Sequence, residues 1–153
     1  MTTYGLIGYP LGHSFSRKFF TEKFEKEGTD AQYLNFEIPS IEEFPNIIKN
    51  SSTLRGLNVT IPYKQQVMQH LDEISKEAKA IGAVNVVKVS KEGLIGYNSD
   101  VIGFVNSIRP LLKPHHKKAL ILGTGGASKA IHYGLEEKLG METLFVSRTA
   151  RQG

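Results

Sequence analysis

One short segment of the chain combines a lysine with hydroxyl and amide side chains at a predicted junction between a strand and a helix. In Asn58-Val59-Thr60-Ile61-Pro62-Tyr63-Lys64, apolar and polar residues alternate as in a strand with one polar face. Pro62 cannot donate to a strand ladder, so the strand should end there, and its fixed φ suits the first turn of a helix. The spacing of the next apolar residues predicts that helix, at Val67, Met68, Leu71 and Ile74.

Lys64 would then lie in the first helical turn, which is an unfavourable place for a cation. A helix N-terminus already carries partial positive charge, so this lysine does not serve helix stability. It is either an ordinary solvated lysine or a functional one. An ammonium group can donate a proton and stabilise developing negative charge, which makes Lys64 a candidate for acid–base chemistry.

Other polar residues lie where they could meet a ligand. Ser14 and Ser16 can both donate to one carboxylate if the loop is extended, although Ser16 can also cap the helix that follows. Asp100 either caps the next helix or directs its carboxylate into a cleft. Asn85 interrupts an apolar strand, so its amide needs hydrogen-bond partners, as a structural bridge or as a ligand contact. His13 is more typical of a packed loop residue than of a base.

A glycine-rich turn begins the last part of the chain. Residues 119–122 form a continuous apolar run, as expected of a parallel strand buried on both faces. Gly123-Thr124-Gly125-Gly126-Ala127 follows, before a helix that should end at Gly140. Glycines let the backbone approach a pyrophosphate, whose charge the helix N-terminus stabilises. A dinucleotide site is therefore predicted; the alternative is a tight turn without a ligand.

The residues after the next strand bear on which dinucleotide would bind. An NAD site would place Asp or Glu there to accept from the ribose hydroxyls, but Ser147-Arg148-Thr149-Ala150-Arg151 has no acid. A guanidinium group pairs well with a 2′-phosphate, so the segment predicts NADP instead. The alternative is a pair of exposed arginines.

Length and composition exclude several classes of protein. The chain has 153 residues, of which 40% are hydrophobic and 22% charged, so a packed core is expected. It has no cysteine, which excludes disulfides and a thiolate zinc site, and no metal is expected. The net charge is +4, but the densest basic run, residues 113–118, is typical of a solvated linker, so nucleic acid is not an expected partner. No run of about 18 apolar residues could span a membrane, and no signal peptide precedes the first strand, which predicts a soluble cytoplasmic protein.

The order of the elements predicts an α/β fold with two domains. Strands are expected at residues 4–9, 34–38 and 57–61, and a hairpin at 84–97, with helices after Ser16, Ser40, Pro62 and Asp100. Residues 1–110 are predicted to form a three-layer α/β/α substrate domain with a mostly parallel sheet. Residues 111–153 are predicted to form an incomplete Rossmann-type βαβ unit.

Taken together, residues 4–16, 58–64, 82–85 and 96–100 resemble the motifs of the shikimate dehydrogenase family, in order. The glycine turn and Ser147-Arg148-Thr149 extend the resemblance over the whole chain. It implies NADP-dependent, reversible reduction of 3-dehydroshikimate to shikimate, in the pathway to aromatic amino acids. The family usually has Thr where this chain has Ser99, and the hydroxyl is retained.

The resemblance also assigns roles to individual residues. Ser14 and Ser16 would hold the substrate carboxylate, and Thr60, Asn85 and Asp100 would bind its ring hydroxyls. Lys64 would transfer the proton, with Asp100 beside it as the second catalytic residue. Eight residues would bind the cofactor: Gly123, Gly125, Gly126, Ala127, Ser147, Arg148, Thr149 and Arg151.

Family members extend well beyond this length, so the chain is expected to be a fragment that is weakly active or inactive alone. A quinate/shikimate dehydrogenase and a non-catalytic shikimate-binding module remain alternatives. The expected partner is a small-molecule substrate. A homodimer is left open, since an unpaired strand edge favours self-association.

Overall fold

The computed structural model describes residues 1–12 and 14–147, and its main feature is a six-stranded sheet. The strands are β1 (Thr2–Gly8), β2 (Ala31–Glu37), β3 (Leu54–Val59), β4 (Glu73–Ile74), β5 (Val86–Ser90) and β6 (Gly93–Tyr97). Their order is β2-β1-β3-β5-β6-β4. β1 pairs in parallel with β2 and β3, and β4 with β6, whereas β5 is antiparallel to both of its neighbours. The predicted α/β fold with a mostly parallel sheet is confirmed.

The part of the chain that the structure describes contains five α-helices: α1 (Phe15–Glu27), α2 (Phe44–Asn50), α3 (Lys76–Ile81), α4 (Asp100–Ile108) and α5 (Gly126–Tyr133). Short 3-10 turns lie at Ile41–Glu43, Gln66–His70 and Arg109–Leu111, and a π-turn at Gly134–Lys138 extends α5. Gly28 ends α1 in the left-handed conformation, as predicted, with φ of 62°. Ser40 begins the Ile41–Glu43 turn, and its hydroxyl accepts from the amide of Glu42 at 3.3 Å.

The two faces of the sheet are buried by different groups of residues. On one face, α1 places Phe20 and Phe24 against Leu6 and Tyr33. Alternation along the strands directs other residues to the opposite face, where Ile7, Leu57 and Val59 are buried. Fully burying an aliphatic side chain stabilises a fold by about 1.5–3 kcal/mol, so both faces contribute substantially.

The predicted helix after Pro62 is wrong. Residues 61–65 form turns, Gln66–His70 is a 3-10 helix, and Glu73–Ile74 is strand β4. Pairing with β6 explains the difference: the amide of Asp72 donates to the Leu94 carbonyl at 3.0 Å, and the Asp72 carboxylate accepts from the Leu94 amide at 2.7 Å. Lys64 therefore does not occupy the first turn of an α-helix, and the argument from helix charge does not apply to it.

A second, two-stranded sheet is formed by β7 (Lys118–Leu122) and β8 (Glu142–Val146), which pair in parallel. One face is covered, since Ile121 packs with Leu135 and Met141. Leu120 and Leu122 are 67% and 80% exposed. The prediction that residues 119–122 of β7 are buried on both faces is therefore wrong for the described residues. Packing residues cover only the face that carries Ile121.

Contacts divide the chain into two compact units. The first contains Met1–Ser75 and Val84–Tyr97, and the second contains Lys76–Ala83 and Asn98–Gly153. Within the second unit, Ile81, Val101, Val105 and Ala130 form one buried cluster that joins α3 and α4 to α5. The predicted boundary between functional domains at residue 110 stays a prediction. No helix among residues 1–12 and 14–147 is long and apolar enough to cross a membrane.

Candidate functional site

A cleft of about 590 Å³ opens where β1 and β3 end, at the carboxyl edge of their parallel pair. Ligands of α/β sheets commonly bind at this edge. The cleft is lined by Leu6, Tyr9, Pro10, Leu11, Gly12, Ser14, Phe15, Ser16, Thr60 and Ile61. It therefore brings together three of the predicted substrate-binding residues, Ser14, Ser16 and Thr60.

Ser14 presents a hydroxyl whose hydrogen-bonding capacity is unused. The residue occupies the N-cap position of α1, yet its side chain makes no capping hydrogen bond. Ser14 Oγ is buried and has no hydrogen-bond partner within the described part of the chain. Leaving such a group unsatisfied costs about 1–3 kcal/mol, so it is suited to a ligand that restores the bond. Ser16 lies inside α1, and the alternative that it caps this helix is wrong.

Two residues that sequence reasoning did not assign to the site, Tyr33 and Asn58, are joined by a hydrogen bond. Burial raises the pKa of Tyr33 to about 12, and a hydrogen bond from Ser16 partly offsets that rise. The Tyr33 hydroxyl also donates to Asn58 Oδ1 at 2.7 Å. Asn58 is polar and in register with Thr60 in the predicted strand, whereas the alternation predicted for β2 rests on Leu34, Phe36 and Ile38 and does not include Tyr33.

Thr60 owes its position to close packing against β1. Its amide donates to the Ile7 carbonyl at 2.9 Å. A Cβ atom at Gly8 would lie 2.5 Å from Thr60 Cγ2 and 3.0 Å from the Ile61 carbonyl oxygen. Any side chain at position 8 would displace this segment, so glycine is what allows Thr60 to reach the cleft.

Lys64 and Asn85 are not among the residues that line the cleft, but backbone hydrogen bonds fix both around the end of β3. The Val84 amide donates to the Lys64 carbonyl at 2.7 Å, and the Val59 amide donates to the Asn85 carbonyl at 2.8 Å. The Asn85 amide in turn donates to the Tyr97 carbonyl at 3.0 Å. Asn85 is only 7% exposed, as its place in an apolar strand predicted. Their roles toward a substrate stay predictions.

Asp100 belongs to the second unit, where it is the first residue of α4. Asn98 provides the cap of this helix, because its Oδ1 accepts from the amides of Asp100 at 3.0 Å and Val101 at 3.4 Å. The Asn98 amide nitrogen also donates to the Ala83 carbonyl at 2.9 Å. The alternative that Asp100 caps α4 is therefore wrong, and its carboxylate is not required for this purpose.

The glycine turn leaves its backbone open at the start of α5. Gly123 has φ of 111°, which favours glycine, and its amide donates to the Val146 carbonyl at 2.9 Å. A Cβ atom at Gly125 would meet no atom within 4 Å, so the backbone is open to close approach at the start of α5. Gly126 and Ala127 form the first turn of that helix. These features fit the pyrophosphate of a dinucleotide.

Part of the predicted cofactor set cannot be placed. Ser147 is described and directly follows β8. Arg148, Thr149 and Arg151 lie outside the described residues, as does His13. Across residues 1–12 and 14–147, no group of three or more His, Asp or Glu side chains could hold a metal ion.

Comparison with known proteins identifies the family. The family model for the shikimate dehydrogenase substrate binding domain matches residues 6–87, which is more than half of the chain. The chain belongs to the shikimate dehydrogenase family. It is 41% identical over 148 residues to the shikimate dehydrogenase (NADP(+)) of Carboxydothermus hydrogenoformans, covering 95% of this chain and 52% of that relative.

Solved structures from the shikimate dehydrogenase family have the same fold. The Aquifex aeolicus enzyme matches with a TM-score of 0.86 at 39% identity, covering 97% of this chain and 56% of that one. The Thermus thermophilus enzyme, in complex with NADP(H) and shikimate, gives a TM-score of 0.86 at 34% identity, over 97% and 57% of the two chains. The chain thus spans about half the length of the relatives it matches.

Proposed function

We propose that this chain forms the substrate-binding part of an NADP-dependent shikimate dehydrogenase, which reversibly reduces 3-dehydroshikimate to shikimate. The observation that carries the proposal is the cleft at the ends of β1 and β3, whose lining includes three residues with hydroxyl groups, Ser14, Ser16 and Thr60. One of these hydroxyls is buried and lacks a partner within the described residues. The names of the relatives and the shikimate bound to the Thermus thermophilus enzyme support the same substrate.

Five residues, two of them outside the cleft lining, would divide the recognition of the substrate between them. Ser14 and Ser16 donate hydrogen bonds to the carboxylate, and charge-assisted bonds of this kind are stronger than neutral ones. Thr60, Asn85 and Asp100 bind the ring hydroxyls. The backbone bonds that hold Thr60 and Asn85 around the end of β3 limit their movement, so little ordering is required when the ring binds.

Lys64 supplies the proton for the reduction. As the carbonyl carbon is reduced, its oxygen gains negative charge, and the Lys64 ammonium group donates a proton to that oxygen. In the reverse direction the neutral amine removes the proton from the hydroxyl. Asp100 accepts a hydrogen bond from the adjacent ring hydroxyl, which orients the reacting carbon.

The second unit carries the residues for the cofactor. Gly123, Gly125, Gly126 and Ala127 would hold the pyrophosphate at the start of α5, and the residues after β8, Ser147, Arg148, Thr149 and Arg151, would hold the 2′-phosphate. When bound, NADPH supplies the hydride. The open backbone at Gly125 supports this assignment, because a phosphate needs close approach to amide groups.

Binding of shikimate to the chain tests the proposed function. Isothermal titration calorimetry should detect shikimate, and Ser14→Ala should weaken its binding about tenfold or more, because a hydrogen bond to a charged group contributes about 1.5–3 kcal/mol. Ser107→Ala is the matched control, since Ser107 is exposed on α4 and bonds only the Phe104 carbonyl among the described contacts. Absence of binding, or equal affinity of the Ser14 variant, would contradict the proposal. Tighter binding of quinate would favour the quinate/shikimate alternative.

The 153-residue chain by itself should not oxidise NADPH at a steady rate. Its described cofactor sheet has two strands with one exposed apolar face, and the chain spans about half of its relatives. The measurement is absorbance at the NADPH band with 3-dehydroshikimate, using protein purified from cells that lack any other shikimate dehydrogenase. Sustained turnover under these conditions would contradict the prediction, because it would show that a two-stranded sheet is enough to bind NADPH productively.

Other predicted properties stay proposals. A homodimer is compatible with the exposed apolar residues of β7 and β8, among them Leu120, Leu122 and Leu144. A cytoplasmic location and the lack of nucleic-acid binding rest on composition alone. The expected partner is shikimate or 3-dehydroshikimate, as argued from the cleft.

A further inference from the structure

We propose that Glu37 is a positioning residue for the substrate carboxylate, because it holds the loop that carries Ser14. This inference rests on the proposed function and deepens it, since it concerns how one of the hydroxyls assigned to the carboxylate is placed. Glu37 is the last residue of β2 and does not line the cleft. Its effect on the substrate is therefore indirect.

Glu37 lies beside the point at which this loop leaves β1. It is paired with Gly8, the last residue of β1, at the carboxyl edge of the parallel pair. The Ile38 amide donates to the Gly8 carbonyl at 3.3 Å, which extends the contact between the two strands. From this position the Glu37 side chain reaches the loop, where its Oε2 accepts from the Leu11 amide at 2.9 Å. Hydrogen bonds to a charged group are stronger than neutral ones, so this bond is a firm anchor.

Leu11 connects Glu37 to Ser14. The Leu11 carbonyl accepts from the Ser14 amide at 3.0 Å, so the amide of Leu11 is bonded to Glu37 and its carbonyl to Ser14. The Leu11 side chain is 4% exposed and packs with Leu6 and Tyr33. Two backbone hydrogen bonds and a buried side chain thus fix Leu11, and through it the backbone of Ser14.

The orientation of Ser14 decides whether its hydroxyl serves the helix or a ligand. A serine at an N-cap ordinarily turns its hydroxyl toward the amides of the first helical turn and accepts a hydrogen bond from one of them. Ser14 makes no such bond, and its Oγ is buried without a partner in the described part of the chain. The cap is the competing arrangement, because it would satisfy the same oxygen within the protein. By fixing the backbone of Ser14, the anchor at Glu37 keeps the hydroxyl in the arrangement that suits a carboxylate.

Glu37→Ala tests the proposal, because it removes the acceptor of the Leu11 amide and leaves every residue of the cleft lining in place. In isothermal titration calorimetry we expect shikimate affinity to fall about three- to tenfold, since the loop must then be ordered on binding without its anchoring hydrogen bond. In a Ser14→Ala background the same change should have no further effect, because the two residues act as one unit.

Glu37→Gln separates the hydrogen bond from the charge. Glutamine retains an acceptor oxygen for the Leu11 amide and lacks the negative charge, so this variant should bind shikimate at least as tightly as the unaltered protein. Any gain in affinity from the lost charge is common to the alanine and glutamine variants. Their difference therefore measures the anchor alone.

Glu42→Ala is the matched control, since Glu42 is an exposed glutamate in the Ile41–Glu43 turn and does not line the cleft. It should leave shikimate affinity unchanged. Unchanged affinity of Glu37→Ala, an equal loss in Glu37→Gln, or a further loss in the Ser14→Ala background would overturn the proposal.

Amide hydrogen exchange distinguishes failure of this proposal from failure of the proposed function. If the unaltered protein does not bind shikimate, the proposed function fails, and the anchor is judged by exchange alone. Glu37→Ala should speed exchange of the Ser14 amide about three- to tenfold, and Glu37→Gln should not. The Thr60 amide, which donates to the Ile7 carbonyl, should keep its rate in both variants. An unchanged rate at Ser14, or an equal rise at Ser14 and Thr60, would refute the anchor.

Discussion

Replacing Lys64 with alanine should lower kcat for the reduction of 3-dehydroshikimate by about 100-fold or more. The comparison is made in the active natural polypeptide that carries this sequence. The expected loss reflects the missing proton donor at the moment when the substrate oxygen gains charge. The alanine variant keeps the backbone carbonyl of residue 64, which accepts from the Val84 amide at 2.7 Å. Steady-state kinetics in both directions provide the measurement.

The result has a matched control in the same unit. Lys91 is exposed in the turn between β5 and β6, so Lys91→Ala removes the same charge from a surface loop. It should leave kcat unchanged. If Lys64→Ala raised KM and left kcat intact, the lysine would bind substrate without taking part in proton transfer. If both parameters were unchanged, Lys64 would be a solvated residue.

A methyl group at position 8 should disturb both stability and binding. The added Cβ would lie 2.5 Å from Thr60 Cγ2 and 2.8 Å from Leu11 Cδ2, which is too close for any of these groups to keep its place. Overpacking of this kind costs about 1–3 kcal/mol. Gly8→Ala should therefore lower the free energy of unfolding by that amount in urea titrations, and it should weaken shikimate binding by displacing Thr60.

Gly103→Ala provides the comparison, because a Cβ at this position in α4 would meet no atom within 4 Å. Alanine is favoured over glycine inside a helix by about 0.5–1 kcal/mol, so this variant should be slightly more stable. A Gly8→Ala protein that unfolds at the same urea concentration and binds shikimate equally well would show that the segment at Thr60 relaxes without consequence.

Much of the fold follows from local patterns in the sequence. The alternation in β1 and β3 predicts strands with two distinct faces, and Lys91-Glu92-Gly93 predicts a hairpin that the pairing of Ser90 with Gly93 confirms. Gly28 ends α1, as predicted, because glycine readily adopts the left-handed conformation found there. These features depend on residues close together in sequence, so local propensities and the final structure agree.

Other features depend on contacts that a single sequence does not reveal. The apolar spacing after Pro62 is typical of a helix, yet β6 binds residues 72–74 and makes a strand there. Asn98 rather than Asp100 caps α4. At the candidate site, the motifs predict the three cleft residues that carry hydroxyl groups, whereas the hydrogen bond from Tyr33 to Asn58 joins β2 to β3 and follows only from the tertiary structure.

Each of the two units is formed by two separate segments of the chain, and this restricts where the protein can be truncated. The chain passes from one unit to the other three times, after residues 75, 83 and 97. A stop codon after residue 97 would retain the residues of the cleft. It would also expose Ile81 and Ala83, because it removes the side chains that pack against them: Val101, Val105 and Ala130. Neither half can be isolated by one truncation; each requires an artificial linker that bypasses the segment of the other.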